Sequence, residues 1–391
     1  MTRDLATLAV PPGADALRVL PDLARALDGT GPALLPFAAG SKAPALPPAP
    51  GTPADLALAV GTSGSTGRPK RALLTTSALQ ASARATHARL GGDGQWLLAM
   101  PAHHVAGLQV LVRSLVAGTA PVAVDTSDGF TPAAFVAATG RLDPAARSYT
   151  ALVPTQLVRL LQDPEGREAL ARYAAVLLGG AAAPPSLLAR AADAGVTVAT
   201  TYGMSETAGG CVYDGLPLDG TRFDLDDDGR ISLGGPTVAH GYLAEPGLGA
   251  AAFTRGPDGT RWFRTDDLGH VDADGALHVQ GRVDDLVNTG GVKVAPRVVE
   301  EALLAHVEGV TEAVVVGVPD EEWGQAVAAA VVVADPADPP ALADVRARLH
   351  GILPGHALPR RLLVLPAIPL RGPGKPDRAA LRTQFGDTPT Q

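Results

Sequence analysis

GTSGSTGRPK, Gly61 to Lys70, follows directly on the apolar run LALAV, Leu56 to Val60. Three glycines in this decapeptide let the backbone approach an anion closely, and the hydroxyls of Thr62, Ser63, Ser65 and Thr66 offer donors. Lys70 adds positive charge. The spacing is not that of a Walker A loop, which needs Gly-x4-Gly-Lys and then Ser or Thr. An arbitrary Gly/Ser loop is more often a plain turn, so the rest of the chain must decide what this one does.

Outward from that loop, short apolar runs alternate with longer amphipathic segments. Strands are expected at Leu56–Val60, Trp96–Ala99, Pro121–Val124, Ser148–Val153, Ala175–Leu178 and Val196–Thr200. Helices are expected between them at Thr76–Arg89, Gly107–Ala117, Pro132–Ala138, Thr155–Gln162 and Pro184–Ala194. That alternation predicts right-handed βαβ units and an α/β fold with mainly parallel, helix-flanked sheets. Residues 1–54 are rich in Pro and Ala, with one helix expected over Ala14–Ala26 and a loop over Gly40–Pro53.

After about Gly215 the texture shifts to Asp/Gly turns, at Asp226–Gly229, Asp258–Gly259 and Asp272–Gly275, which suits a small antiparallel β subdomain. Beyond Gly281 a compact α+β terminal domain is expected. Its elements are a helix at Pro296–His306, strands at Ala313–Val318 and Ala326–Val333, a helix at Ala341–Gly351 and a strand at Leu362–Leu365. The chain thus reads as a large domain over residues 1–283 and a small mobile one over 284–391, with the junction at Arg282–Leu286. There are no internal repeats.

At 391 residues and 46% hydrophobic content the chain can bury one large core and a smaller second one. A charged fraction of 18% is too low for a disordered chain. The net charge of -8, without basic runs, argues against nucleic acid or an anionic membrane as partner. Cys211 is the single cysteine, so an internal disulfide is impossible and a cysteine-based zinc site is not expected. No signal peptide is evident, and no stretch approaches the roughly 18 apolar residues of a membrane span. A cytoplasmic, reduced protein is expected. The oligomeric state stays open, a homodimer included.

The order of residues in Gly61–Lys70 closely resembles the phosphate-binding loop of the acyl-adenylate-forming (ANL) superfamily, which contains acyl-CoA synthetases, peptide-synthetase adenylation domains and luciferases. Further segments agree in order. MPAHHVAGL, Met100 to Leu108, is similar to the family segment whose aromatic or His residue, here His104, lies by the acyl pocket. LGGAAAP, Leu178 to Pro184, resembles the strand-turn that stacks on adenine, with Gly179, Gly180 and Ala181 at the contact. TYGMSET, Thr201 to Thr207, matches the adenylate signature. The resemblance implies that Tyr202 and Gly203 lie near adenine, that Thr207 lies near the α-phosphate, and that Glu206 holds Mg²⁺. A carboxylate suits that ion, which prefers hard oxygen ligands and keeps waters and phosphates as the others.

FRTDDL, Phe263 to Leu268, resembles the run that places an aspartate, here Asp267, on the ribose hydroxyls, although Asp266 replaces the usual Gly. GRVDDLV, Gly281 to Val287, matches the hinge motif, with Arg282 on ribose and Asp284 as pivot. PLRGPGKPDR, Pro369 to Arg378, resembles the motif carrying the adenylation lysine, here Lys375. Arg371 and Pro376 depart from the common pattern there, and GGVKVAP, Gly290 to Pro296, departs from the GGENIYP of the region that faces CoA.

What the resemblance implies is an ATP-dependent ligase that makes an acyl-adenylate and then an acyl-CoA thioester, with ATP, Mg²⁺ and coenzyme A. The loop residues Thr62, Ser63, Gly64, Ser65, Thr66, Gly67 and Lys70, together with Glu206 and Lys375, would spread the charge that develops as pyrophosphate leaves. Trp96 to Gly118 resembles the o-succinylbenzoate–CoA ligases of menaquinone biosynthesis in their short, actinobacterial-type form, as do the mere 60 residues before Gly61. Gln109 and Arg113 are four apart on one helix face with His104 at its lead-in, and Arg113 is placed to pair with a second carboxylate. The alternative for Arg113 is a surface salt bridge. The alternatives for the whole chain are a ligase for another aryl or medium-chain acid, a module loading a carrier protein, or a degenerate binding protein.

Overall fold

A computed structural model of the chain describes residues 3–47, 52–62, 70–127, 129–370 and 375–387. The chain divides into two compact units, residues 1–224 with 232–265, and residues 225–231 with 266–391.

In the first unit β1 (Leu5–Val10), β2 (Ala33–Ala38), β3 (Leu56–Gly61) and β4 (Arg71–Thr75) form a sheet in that order, parallel from β1 to β3 and antiparallel at β4. The expected single helix near the start is in fact a 3-10 turn over Gly13–Val19 followed by helix α1, Leu20–Asp28. Pro21 lies in the first turn of α1, where a fixed φ and a missing N–H do no harm, so the break falls there.

The second sheet has the order β11-β10-β9-β8-β7-β5-β6. It comprises β5 (Gln95–Leu98), β6 (Val122–Ala123), β7 (Ser148–Leu152), β8 (Ala175–Leu178), β9 (Val198–Met204), β10 (Gly209–Tyr213) and β11 (Leu216–Pro217). β5 to β9 run parallel, as the alternating pattern predicts, and β10 and β11 are antiparallel additions.

Helices α2 (Thr76–Arg89) and α3 (Val105–Ala117) share with α1 a core to which both sheets contribute: Leu23, Leu79 and Leu108 meet Leu58 and Val60 from one, Trp96 and Leu177 from the other. On the opposite face of the second sheet lie α4 (Pro132–Thr139), α5 (Pro154–Gln162), α6 (Pro164–Ala171) and α7 (Pro185–Asp193). Strand period 2 sorts the two faces. In β8, Ala175 and Leu177 join the first core while Val176 and Leu178 join the second. The consequence for function is positional. The phosphate loop follows β3, the LGGAAAP turn begins on the last residue of β8, and the TYGMSET signature spans the end of β9 and the 3-10 turn after it, so all three lie at the carboxyl ends of their strands.

Short strands β12 (Arg222–Leu225) and β13 (Arg230–Gly234) follow, then helix α8 (Pro246–Ala252), β14 (Phe253–Arg255), the long β15 (Arg261–Val271) and β16 (Leu277–Arg282). In the first unit β14 pairs antiparallel with the Arg261–Phe263 end of β15. In the second unit Asp267–Val271 pairs antiparallel with β16.

The rest of the second unit is a sheet of β17 (Val287–Thr289), β18 (Val292–Val294), β19 (Val310–Asp320), β20 (Gly324–Val333) and β21 (Arg361–Val364). Helices α9 (Pro296–His306) and α10 (Leu342–Leu349) share a core with one of its faces, and α11 (Arg378–Asp387) with the other. Gly290 and Gly291, at φ 60° and 80°, make the two-residue turn between β17 and β18. A Cβ on Gly290 would also fall 2.6 Å from the Trp323 ring, so any other residue there would have to displace that ring.

Candidate active site

The base of the phosphate loop is a hairpin. Thr62 N–H donates to the Lys70 carbonyl at 2.8 Å, and Gly61 pairs with Arg71 across β3 and β4. Ser63, Gly64, Ser65, Thr66 and Gly67 lie outside the described residues. The adenylate signature meets this base directly, because Ser205 Oγ donates to the Gly61 carbonyl at 3.0 Å.

Glu206 sits in a 3-10 turn over Ser205–Thr207, only 7% exposed, and accepts a hydrogen bond from the Tyr242 hydroxyl at 2.8 Å. Lys70 Nζ stands over the Tyr242 ring, 5.3 Å from its centroid. Thr207 is fully buried. Its hydroxyl accepts from Met204 N–H at 3.0 Å and donates to the Gly209 carbonyl at 2.8 Å, so it locks the turn that presents Glu206.

Tyr202 and Gly203 lie on β9, and Gly203 has to be glycine: a Cβ there would stand 2.2 Å from the Gly209 carbonyl oxygen. Beside them, at the end of β8, a Cβ on Gly179 would meet Thr201 Oγ1 at 2.4 Å. Gly180 takes a φ of 81°, and Ala181 follows half-buried.

His103 and His104 precede α3, their rings 4.2 Å apart. Burial, and then His104, push the His103 pKa down to about 4, so it is neutral near pH 7. His104 is the N-cap residue of α3. One turn on, Gln109 is buried at 1% exposure and its Nε2 donates to the Ala208 carbonyl at 2.5 Å. Ser82 Oγ, from α2, donates to the same carbonyl at 3.1 Å. Ala208 takes a left-handed φ of 52°, a conformation costing an alanine about 1–2 kcal/mol, so these two donors hold a strained residue directly after Thr207.

Arg113 does not reach the surface, which removes the surface salt bridge as its role. It is 3% exposed, stacks over the Trp96 ring at 4.9 Å and lies 3.4 Å from the Tyr213 hydroxyl. That hydroxyl is also 3.0 Å from Thr86 Oγ1. Trp96 Nε1–H donates to His87 Nε2 at 3.1 Å. His87 Nδ1 is 2.8 Å from Asp93 Oδ1, close enough for attraction but off hydrogen-bond angle. Burial lowers the His87 pKa, with Asp93 opposing and Arg113 reinforcing the shift. Among the described residues no carboxylate pairs with Arg113, and burial lowers its own pKa too.

The second unit holds the remaining candidates. Asp267 faces Arg282 across β15 and β16, with 3.6 Å between Oδ1 and Nη1. Arg282 also donates to Asp284 at 2.8 Å, and burial of this guanidinium is outweighed by Asp284, Asp267 and Asp266, which raise its pKa. Asp266, where the family pattern has Gly, lies 2.5 Å from Arg230 and 3.5 Å from Arg282. The adjacent aspartates diverge: Asp284 binds Arg282, while Asp285 faces Arg378 at 3.5 Å and Arg382 at 3.8 Å on α11. Lys375 is exposed, and the loop that bears it is closed at its base by Asp377 N–H donating to the Pro369 carbonyl at 2.7 Å. Arg371 lies outside the described residues.

The sequence reading does not single out Tyr242, Ser82 or Tyr213. A signal for Tyr242 existed: it is one of five tyrosines in a chain with 4% aromatic residues, and it stands alone among Phe, Trp and Tyr in the segment AHGYLAEP. Glu206 is suited to magnesium only together with other ligands. Among the described residues no group of three or more His, Cys, Asp or Glu side chains could hold a metal ion. One carboxylate fits Mg²⁺ that arrives with nucleotide phosphates and water.

The comparisons with known proteins agree with this geometry. Residues 16–243 match the model of the AMP-binding enzyme family, and residues 298–375 that of the AMP-binding enzyme C-terminal domain. A probable 2-succinylbenzoate–CoA ligase of Mycobacterium tuberculosis is 47% identical over 390 residues, covering 97% of this chain and 98% of that protein. The o-succinylbenzoate CoA synthetase of Bacillus subtilis, solved with its acyl-adenylate intermediate, superposes with a TM-score of 0.74 at 25% identity, over 100% of this chain and 89% of that one. An amide bond synthetase of Marinactinospora thermotolerans superposes with a TM-score of 0.76 at 29% identity, over 97% and 80%. A phosphate-loop hairpin joined to a buried glutamate turn, in a chain matched by both models, makes this protein a member of the AMP-binding, acyl-adenylate-forming enzyme family.

Proposed function

We propose that this chain is the CoA ligase that converts 2-succinylbenzoate to 2-succinylbenzoyl-CoA, a step of menaquinone biosynthesis, through an acyl-adenylate. The observation that carries the adenylation chemistry is the meeting of Lys70 and Glu206 on Tyr242, beside the Ser205 contact to the phosphate-loop base. The similarity to the Mycobacterium tuberculosis relative along nearly the whole of both chains supports the choice of acid.

In the first step a carboxylate oxygen attacks the α-phosphorus of ATP, the new O–P bond forms, and pyrophosphate leaves with the electron pair. The protein's task is positioning and charge stabilisation. The loop from Thr62 to Lys70, Ser63, Gly64, Ser65, Thr66 and Gly67 included, receives the phosphates. Gly179, Gly180, Ala181, Tyr202 and Gly203 form the adenine wall, Thr207 shapes the turn by the α-phosphate, and Asp267 and Arg282 hold ribose. Lys375 brings a movable point charge to the leaving oxygens. Bound at Glu206 with the nucleotide, Mg²⁺ supplies further neutralisation of the phosphates.

In the second step the CoA thiolate attacks the acyl carbon, the C–S bond forms, and AMP departs. Residues 284–391 are proposed as a mobile domain that turns about Asp284, withdrawing Lys375 and presenting the Gly290–Lys293 hairpin. His104, Gln109 and Arg113 are assigned to the acid. For Arg113 the argument is that a buried guanidinium is costly without an anion, and a dicarboxylic acid brings one. The proposed compartment is the cytoplasm, and light scattering would distinguish a monomer from a homodimer.

The test is pyrophosphate and AMP release measured with each component omitted in turn. Release that requires ATP, CoA and 2-succinylbenzoate together supports the assignment. Equal turnover of benzoate-like or medium-chain acids would replace the substrate, and thioester formation on a carrier protein but not on CoA would replace the class.

A further inference from the structure

Tyr242 lies outside both the Gly61–Lys70 loop and the Thr201–Thr207 signature, yet one residue of each, Lys70 and Glu206, ends on it. Its backbone lies along β4. Leu73 N–H donates to the Gly241 carbonyl at 2.9 Å, Leu243 N–H to the Arg71 carbonyl at 2.9 Å, and Ala72 faces Tyr242 in a bridge. The neighbouring Ala239 N–H donates to the backbone carbonyl of Glu206 at 2.8 Å. The ring is 7% exposed and packs edge-on against Phe253, 5.1 Å between centroids at 69°. So fixed, it offers its hydroxyl to Glu206 Oε1 and its face to Lys70.

Opposite charges this close to a triphosphate site face a choice. A direct Lys–Glu ion pair would cancel the two charges that the nucleotide and its cation need. A tyrosine between them satisfies both without cancelling either. The hydroxyl donates to the carboxylate, which lowers the cost of burying it, and the ring face attracts an ammonium within about 6 Å. The hydroxyl also turns the carboxylate plane, because an O–H···O⁻ bond is short and directional.

We propose that Tyr242 is a positioning residue that holds Glu206 and Lys70 apart and oriented for the magnesium-bound nucleotide. The proposal rests on the adenylating reading of the site. It adds that the Tyr242 hydroxyl acts through Glu206, and that the ring acts through Lys70.

Calorimetric titration of the full chain with ATP, in magnesium and in EDTA, separates these effects. Tyr242→Phe keeps the packed ring and removes the hydroxyl. It should weaken magnesium-ATP binding about tenfold while ATP binding in EDTA stays within about twofold of wild type. Tyr242→Leu should weaken ATP binding in EDTA as well. In a Glu206→Gln background, Tyr242→Phe should cost nothing further, a non-additivity that a change in general stability does not produce. An unchanged magnesium increment in Tyr242→Phe, or the same loss with Glu206→Gln present, overturns the proposal. A wild-type chain that gains nothing from magnesium overturns the adenylating reading and the proposal with it.

Discussion

Arg113→Leu is the substitution for which the structure predicts opposite effects on stability and on substrate. In the free enzyme Arg113 has a stack on Trp96 at 4.9 Å and a long contact to Tyr213 at 3.4 Å. Losing a desolvated cation–π contact costs about 2 kcal/mol and the weak hydrogen bond about 0.5–1 kcal/mol. Against this, the variant no longer buries a guanidinium that lacks a carboxylate partner, a penalty of several kcal/mol, and leucine fills most of the volume with apolar atoms. The melting temperature should hold or rise. With substrate bound the balance reverses. A charged hydrogen bond to a second carboxylate is worth about 1.5–3 kcal/mol, so kcat/KM for 2-succinylbenzoate should fall about 10- to 100-fold. Benzoate and other monoacids have no such group and should change by less than about threefold. Coupled pyrophosphate release on both acids, with a melting curve on each protein, makes the measurement. Equal losses for both acids together with a lower melting temperature would refute the reasoning, leaving Arg113 as a brace between α3 and Tyr213.

The other outcomes concern the second unit and pH. Lys375→Ala should reduce adenylate formation on the order of 10²–10³-fold, as expected for one lost charge at a transition state, while a presynthesised acyl-adenylate and CoA still give thioester; equal loss of both half-reactions would remove the assignment. Asp284→Pro should leave adenylation near normal and suppress thioester formation, because proline fixes the φ that a pivot must change. Untouched overall turnover would instead point to Asp285, which is held by Arg378 and Arg382. His103 has a folded-state pKa of about 4, well under its ordinary 6.5, so between those values the unfolded chain binds the extra proton and stability declines as pH falls through the window. His103→Asn should flatten the dependence of melting temperature on pH between about 4 and 6.5, and an unchanged slope would contradict the burial of His103.

The parallel strands of the second sheet and their helices were legible because short runs such as AVLL in β8 alternate with longer amphipathic segments, and because α2 has a clear start at Thr75 and Thr76. Three strands near the start, β1, β2 and β4, were not. β2 reads ALLPFA, and a proline argues against a strand lying between two others, yet Pro36 pairs in register with Leu8 of β1. β4, RALLT, runs into α2 with no breaker, so its five residues merge with the helix in any pattern of hydrophobicity. The terminal helix RAALRTQFGD reads as a polar tail until Leu381 and Phe385 are seen packed on Val316 and Ala328. Asp266 looks like a defect in a family motif because its compensation comes from Arg230, on another strand thirty-six residues away.

Helix periodicity places Gln109 and Arg113 on one face of α3 but does not say what that face meets. The structure answers with two different neighbours. Gln109 holds the carbonyl of Ala208 and Arg113 reaches Tyr213, at the two ends of the turn-and-strand that follows Glu206. Ser82 and Thr86, four apart on α2, meet the same two points. Helices α2 and α3 and the glutamate turn are therefore one hydrogen-bonded body, with a strained left-handed Ala208 directly after Thr207. A body of that kind transmits small shifts, since its donors are buried and leaving one unmade costs about 1–3 kcal/mol. On the proposed assignment of Gln109 to the acid, a shift at Gln109 is passed through the Ala208 carbonyl to the turn that carries Glu206, which would couple recognition of acid and nucleotide. Those contacts join residues 99 to 127 apart in sequence, which no local pattern could have disclosed.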